Sequence, residues 1–150
     1  MTRAEFAQTV YNMAHEAGEQ GANNAWETYP TQFSDVEPNA WYAKAVEWAA
    51  RYGIVTGKSA TTFDPNGTVT REEIATMLYR YAGNGAQADA SALDAFVDGA
   101  QVSDWAKNAM AWAVEEGHMN GKGADDLQPQ ATATRAEIAT LAVRVQPEWL

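Results

Sequence analysis

The chain has 150 residues, 46% of them hydrophobic, with six Trp and six Tyr: apolar material for one compact domain, and too little length to split comfortably into two. A formal charge of −10 argues against a phosphate backbone as partner, since non-specific nucleic-acid binding needs a basic face. No run approaches the roughly eighteen apolar residues of a membrane span, Met1-Thr2-Arg3-Ala4-Glu5 carries no signal core, and the absence of Cys removes disulfides, thiolate metal sites and cysteine nucleophiles.

In chain order, residues 1–14 predict a helix that starts at Thr2-Arg3-Ala4-Glu5 and carries Phe6, Ala7, Val10 and Met13. A polar connector over residues 15–32 follows, with Trp26 and Tyr29 expected to pack back onto the body. From Trp41, the residues Ala45, Trp48, Ala49 and Tyr52 share a helical face, and Gly53 stands where a left-handed cap closes a helix. Ile54 to Gly67 reads as an ordered loop with a short extended pair, because Asp64-Pro65-Asn66-Gly67 favours tight turns. Thr70-x-x-Glu73 matches a capping box, so a helix begins there, with Ile74, Met77, Leu78 and Tyr81 as its buried stripe.

A second connector spans residues 82–95, with a helical turn at Ser91-Ala92-Leu93. The first pattern then returns. Trp105, Ala109, Trp112 and Ala113 make a helix closed by Gly117, and Glu115-Glu116 oppose its dipole at a cost of about a few tenths of a kcal/mol. Thr134-x-x-Glu137 opens a last helix with Ile138, Leu141, Ala142 and Val145.

The return is a repeat. Shifted by 64 residues, Trp41 meets Trp105, Trp48 meets Trp112, Gly53 meets Gly117, Gly57-Lys58 meets Gly121-Lys122, Pro65 meets Pro129, and Thr70-Arg71-Glu72-Glu73-Ile74-Ala75-Thr76 meets Thr134-Arg135-Ala136-Glu137-Ile138-Ala139-Thr140. A shift of 68 lays Thr2-Arg3-Ala4-Glu5-Phe6-Ala7 on the same closing element. The expected organisation is one all-α domain over residues 1–150: the closing helix of a first repeat (1–14), a second repeat (33–82) and a third (96–146), the first lacking its opening helix.

Among residues that could carry chemistry, Arg71 is the most informative. At the first helical position its cation opposes the positive end of the dipole, a cost of roughly 0.3 to 1 kcal/mol that a bound anion would reverse. The same arginine recurs as Arg3 and Arg135; the alternative is pairing with an acidic neighbour. The capping Thr and Glu residues read as structural. Trp41 and Trp105, beside Asp35 and Asp104, either pack in the core or offer an indole and a carboxylate to a sugar; Trp48 and Trp112 read as core. Gly57 and Gly121 mark a positive backbone angle, a close approach or a simple turn, and Lys58 and Lys122 can reach an anion. Asp64 to Thr68 resembles the start of a calcium loop, but Val69 stands where glycine is required and Ala75 where the bidentate Glu belongs. His15 and His118 lack partners at metal spacing, and no catalytic triad order or phosphate loop is present. A binding module with no cofactor or metal, and not an enzyme, is the expectation.

Phe33-Ser34-Asp35-Val36, Trp41-Tyr42-Ala43, Gly53-Ile54-Val55-Thr56-Gly57, Phe63-Asp64-Pro65 and Thr70-Arg71-Glu72-Glu73 resemble the S-layer homology domain. Phe96-Val97-Asp98, Asp104-Trp105-Ala106, Gly117, Gly121 and Thr134-Arg135-Ala136-Glu137 repeat the resemblance. It implies a pseudo-threefold spindle of three repeats with ligand grooves between neighbours. It also implies non-covalent anchoring on the bacterial cell wall, outside the cell, by binding secondary cell-wall polysaccharide with pyruvylated amino sugar. Arg3, Arg71 and Arg135 fall on the family's ligand-binding arginine. Glu72 departs from the usual alanine, and Gln128-Pro129-Gln130-Ala131 lacks the Asp and Gly of Asp64-Pro65-Asn66-Gly67. The alternative function is a protein-interaction or self-assembly module that has lost glycan binding.

Overall fold

The computed structural model describes residues 1–16, 18, 32–83, 85–122 and 125–144, apart from the side chains of Ala142 and Val143. Trp26, Tyr29 and Val145, together with the Ala142 side chain, lie outside the described residues. The described chain is all-α: helices α1 (Arg3–Glu16), α2 (Ala43–Arg51), α3 (Arg71–Ala82), α4 (Lys107–Glu115) and α5 (Arg135–Arg144), with 3₁₀ turns at Ala90–Ala95, Gly99–Gln101 and Asp104–Ala106. Extended pairing among the described residues is confined to two isolated antiparallel bridges, Thr2 with Thr68 and Thr70 with Thr132. No helix among these residues is long and apolar enough to cross a membrane.

The helix ends follow their local chemistry. Each closing helix begins at a Thr whose hydroxyl accepts a backbone N–H three residues on: Glu5 to Thr2 at 3.1 Å, Glu73 to Thr70 at 3.3 Å and Glu137 to Thr134 at 3.2 Å. In α1 the box is reciprocal, with Thr2 N donating to the Glu5 carboxylate at 2.8 Å. The opening helices end as expected in left-handed glycines, Gly53 at φ 72° and Gly117 at φ 74°.

Their starts differ from the sequence reading. Trp41 lies in a turn before α2 and Trp105 in the 3₁₀ turn before α4, and they are 64% and 58% exposed, so neither is core. Tyr52 is also exposed, and α2 buries Ala45, Val46, Trp48 and Ala49.

The chain folds as two compact units, Met1–Thr68 and Val69–Trp149, and these are out of phase with the sequence repeats. In the first unit the closing helix α1 packs on the opening helix α2 of the following repeat, with the Tyr11 ring edge-on to Trp48 at 5.4 Å and 78°. In the second, α3 packs on α4 in the same way, with Tyr79 and Trp112 at 5.7 Å and 67°. Trp48 and Trp112 are buried, and each edge-to-face pair adds about 0.5–1.5 kcal/mol beyond the area it hides.

The connector over residues 82–95 is laced to α4. Asn108 accepts Ala88 N at 2.9 Å and donates to Ala86 O at 3.1 Å, while the Glu115 carboxylate accepts Asp89 N at 3.1 Å. Its expected turn is present at Ala90–Ala95, with Leu93 buried.

Candidate functional site

The site is built on a loop with an unusual backbone. Asp64 and Gln128 both hold positive φ, 60° and 48°, and each starts a tight turn closed by Gly67 N to Asp64 O at 3.1 Å or Ala131 N to Gln128 O at 3.0 Å. The third repeat therefore keeps the turn without its Asp and Gly. A residue other than Gly in this region is strained, and a carboxylate holds each loop in it. Asp35 accepts Phe63 N at 2.8 Å and Asp64 N at 2.7 Å; Asp98 accepts Leu127 N and Gln128 N, both at 2.8 Å. Burial pushes both carboxyl groups up, but the donated backbone hydrogen bonds outweigh it, with help from Arg3 and Arg71 respectively, and hold each below the ordinary carboxylate value.

Asp98, not Asp104, is thus the counterpart of Asp35. One extra residue between Asp98 and Trp105 breaks the 64-residue register there. Asp104 is exposed and pairs with Lys107 at 2.9 Å.

The clamped loop receives the start of the preceding repeat's closing helix. Arg3 N donates to Gly67 O at 2.8 Å and Ala4 N to Pro65 O at 3.0 Å; Arg71 N donates to Ala131 O and Glu72 N to Pro129 O, both at 2.9 Å. First-turn N–H groups that have no partner inside a helix are satisfied in this way. The arginine side chains repeat the pattern, Arg3 Nε donating to Phe63 O at 2.8 Å and Arg71 Nε to Leu127 O at 2.7 Å. Arg3 also lies 4.8 Å from the centre of the Phe63 ring. Both side chains are buried at 5% exposure, whereas Arg135 is exposed.

Beside Arg71 is a cavity of about 420 Å³, within the usual range of about 300–1,000 Å³ for small-ligand sites. Arg71, Lys122 and Arg144 bring three cations to it, Glu137 one carboxylate, and Met119, Leu141 and Thr140 an apolar and hydroxyl side. His118, Asn120 and Gly121 complete the lining. Arg71 Nη1 meets Glu137 Oε2 at 2.9 Å and Nη2 donates to Asn120 O, so among the described residues three of its five N–H donors are engaged. Lys122 Nζ lies 3.4 Å from the other Glu137 oxygen and donates to Thr132 O at 3.3 Å. The His118 ring lies 5.1 Å from that of Trp112 and tilted by 56°, and among the described residues its buried Nδ1 has no hydrogen-bond partner. Burial lowers the His118 pKa; Glu116 opposes that shift and Arg144 adds to it.

Of the residues singled out in the sequence, Arg71, Gly121 and Lys122 meet in this cavity. Arg3 occupies the matching position in the first unit. Gly57 answers its open question: φ is 78°, and a Cβ there would lie 2.6 Å from Phe33 and from Thr62 O. Lys58 is exposed, its N–H donating to Thr62 O at 2.8 Å as Lys122 N donates to Asp126 O at 2.9 Å. Trp105 and Asp104 do not line the cavity. They precede α4 whereas His118 and Met119 follow it, about 14 Å away along a nine-residue helix.

His118, Met119, Asn120, Glu137, Thr140, Leu141 and Arg144 also line the cavity and were not singled out for it in the sequence. Glu137 was visible only as a cap, and Thr140, Leu141 and Arg144 continue its helical face at the spacing that makes neighbours. Among the described residues no group of three or more His, Asp or Glu could hold a metal ion.

The S-layer homology domain profile matches residues 32–75 and 95–139. An amylopullulanase of Thermoanaerobacterium thermosulfurigenes is 35% identical over 94% of this chain, which covers 7% of that protein. The surface-layer 125 kDa protein of Lysinibacillus sphaericus is 34% identical over 96% of the chain and 12% of its own length. A cellulosome-anchoring protein of Acetivibrio thermocellus is 26% identical over 96% of the chain and 31% of its own length. The chain therefore spans less than a third of each of these relatives. With the profile covering both repeats, and each repeat carrying the same clamped loop, capping box and glycine-closed helix, the chain belongs to the S-layer homology domain family.

Proposed function

We propose that this chain is a non-covalent cell-wall anchoring module, acting outside the cell, which binds an anionic, pyruvylated secondary cell-wall polysaccharide through grooves between successive repeats. Anchoring at the cell surface follows from family membership and fits relatives named as a surface-layer protein and a cellulosome-anchoring protein. The glycan reading is carried by one observation: on a chain of charge −10, the cavity beside Arg71 is lined by three cations and one carboxylate. A pyruvate ketal carries a carboxylate and a methyl group on one carbon. Arg71, Lys122 and Arg144 suit the carboxylate, Met119 and Leu141 the methyl, and Thr140 and Asn120 the sugar hydroxyls.

The cavity lies between repeats in sequence, because Arg71 opens the closing helix of one and the remaining lining belongs to the next. Its job is recognition, not chemistry. Arg3 and Arg135 are proposed to serve grooves of the same kind, with Gly57 and Lys58 beside the one at Arg3.

The exposed indoles of Trp41 and Trp105, with Asp35 and Asp104 nearby in sequence, are available for a more distant stretch of the polymer. They also favour the second reading, a self-assembly surface, which a concentration-dependent mass in light scattering would support. Calorimetric titration with a pyruvylated wall oligosaccharide, and with the same sugar stripped of its ketal, tests the proposal. Saturable binding that needs the ketal, and that falls at least about tenfold in Arg71→Ala, is expected. Equal binding of both sugars, or of the variant, would refute it.

A further inference from the structure

The Glu137 carboxylate already occupies the anion position of the cavity. Its two oxygens are divided between the two cations best placed to hold a ligand, Oε2 on Arg71 Nη1 at 2.9 Å and Oε1 on Lys122 Nζ at 3.4 Å. The Arg71 contact is short and backed by a guanidinium that two carbonyls fix in place. The Lys122 contact is long, on a flexible stem, and shared with Thr132 O.

Resting on the reading of this cavity as an anion site, we infer that Glu137 is a resident competitor that sets the affinity of the site: an incoming carboxylate takes Lys122 from Glu137 and shares Arg71 with it. Arg71 allows this, having two N–H donors beyond the three engaged among the described residues. Two carboxylates on one guanidinium repel each other, so the ligand is held more weakly than three cations alone would hold it. A second negative charge on the ligand would meet the same repulsion, which makes Glu137 a residue that selects singly charged groups. Weak single sites are compatible with firm attachment when several sites engage one polymer.

The decisive variant is Glu137→Gln, which keeps the size of the side chain and leaves the Thr134 hydroxyl accepting the residue 137 N–H. The whole chain is titrated by calorimetry with the pyruvylated sugar, and in parallel with inorganic sulfate followed through the Arg71 and Lys122 side-chain NMR signals. The variant is expected to bind the sugar about tenfold more tightly than the unaltered chain, and sulfate more tightly by a larger factor. Unchanged or weaker binding of both probes would make Glu137 a positioning residue and overturn the inference. If neither protein binds the sugar while sulfate binds the variant more tightly, the glycan reading falls and the role of Glu137 stands. If sulfate also fails to distinguish the two proteins, both fall.

Discussion

Asp98→Ala is the sharpest test of how the site is assembled. The Asp98 carboxylate accepts the N–H groups of Leu127 and Gln128, both at 2.8 Å, and so holds Gln128 at a φ of 48° and presents Leu127 O to Arg71. A hydrogen bond to a charged group contributes about 1.5–3 kcal/mol. Water replaces part of this at a half-exposed carboxylate, so the pair together stabilises the loop by about 2–3 kcal/mol. Amide hydrogen exchange reads it directly. Protection of Leu127 and Gln128 should fall by roughly 30- to 150-fold in the variant, given about 1.4 kcal/mol per factor of ten. Asp104→Ala should leave both amides at their original protection.

The pH dependence has a fixed sign. Because the folded pKa of Asp98 is depressed, its stabilisation is complete above the ordinary carboxylate pKa of about 3.9 and is lost as pH falls through the lower folded value. The gap between the original chain and Asp98→Ala should hold steady near neutrality and close below about pH 4. Equal losses from Asp98→Ala and Asp104→Ala, or a gap that persists in strong acid, would refute the clamp.

Two further outcomes follow from single positions. Gly53→Ala meets open space and pays only for a left-handed backbone, about 1–2 kcal/mol, whereas Gly57→Ala has the same backbone demand plus contacts at 2.6 Å with Phe33 and Thr62 O; urea midpoints should show the second loss clearly larger than the first. Burial lowers the His118 pKa in the fold, so as pH falls through about 6.5 the unfolded chain takes up a proton more readily than the folded chain; stability should decline from there toward the lower folded pKa, and His118→Gln should flatten that part of the urea-midpoint profile.

The helices and their caps were legible because they rest on local chemistry. Thr70 with Glu73, and Gly53 and Gly117 at helix ends, need only their neighbours in sequence to declare a boundary. The exposure of Trp41 and Trp105 was not legible, since helical spacing places a side chain on a face only once the helix has begun, and both precede it. Asp98 was visible in Phe96-Val97-Asp98, but a one-residue insertion before Trp105 breaks the fixed shift there, and nothing local to Asp98 shows that it clamps a loop 29 residues away. Glu137 was read as a cap and is one, through its backbone. Its side chain belongs to the cavity, and the choice between the two roles is made by Arg71 and Lys122, which arrive from 66 and 15 residues away.

Self-comparison of a sequence finds what is similar, not what touches. The repeats run from an opening helix to a closing one, yet the hydrogen bonds join a closing helix to the loop of the next repeat, Arg3 to Phe63 across 60 residues and Arg71 to Leu127 across 56. A repeat taken alone would leave its first-turn N–H groups and its arginine without those carbonyls, while its loop would lack the helix that packs over it. The same offset explains why an arginine at the unfavourable end of a helix dipole persists in the fold. Its Nε and the N–H groups beside it meet the carbonyl oxygens of a clamped turn, and in the second unit what remains of the guanidinium faces a cavity with Lys122 and Glu137. Docking of the helix and the proposed recognition of an anion thus draw on one side chain, so Arg71→Ala should weaken both, and only Arg71→Lys, which keeps the charge but not the planar fork, separates them.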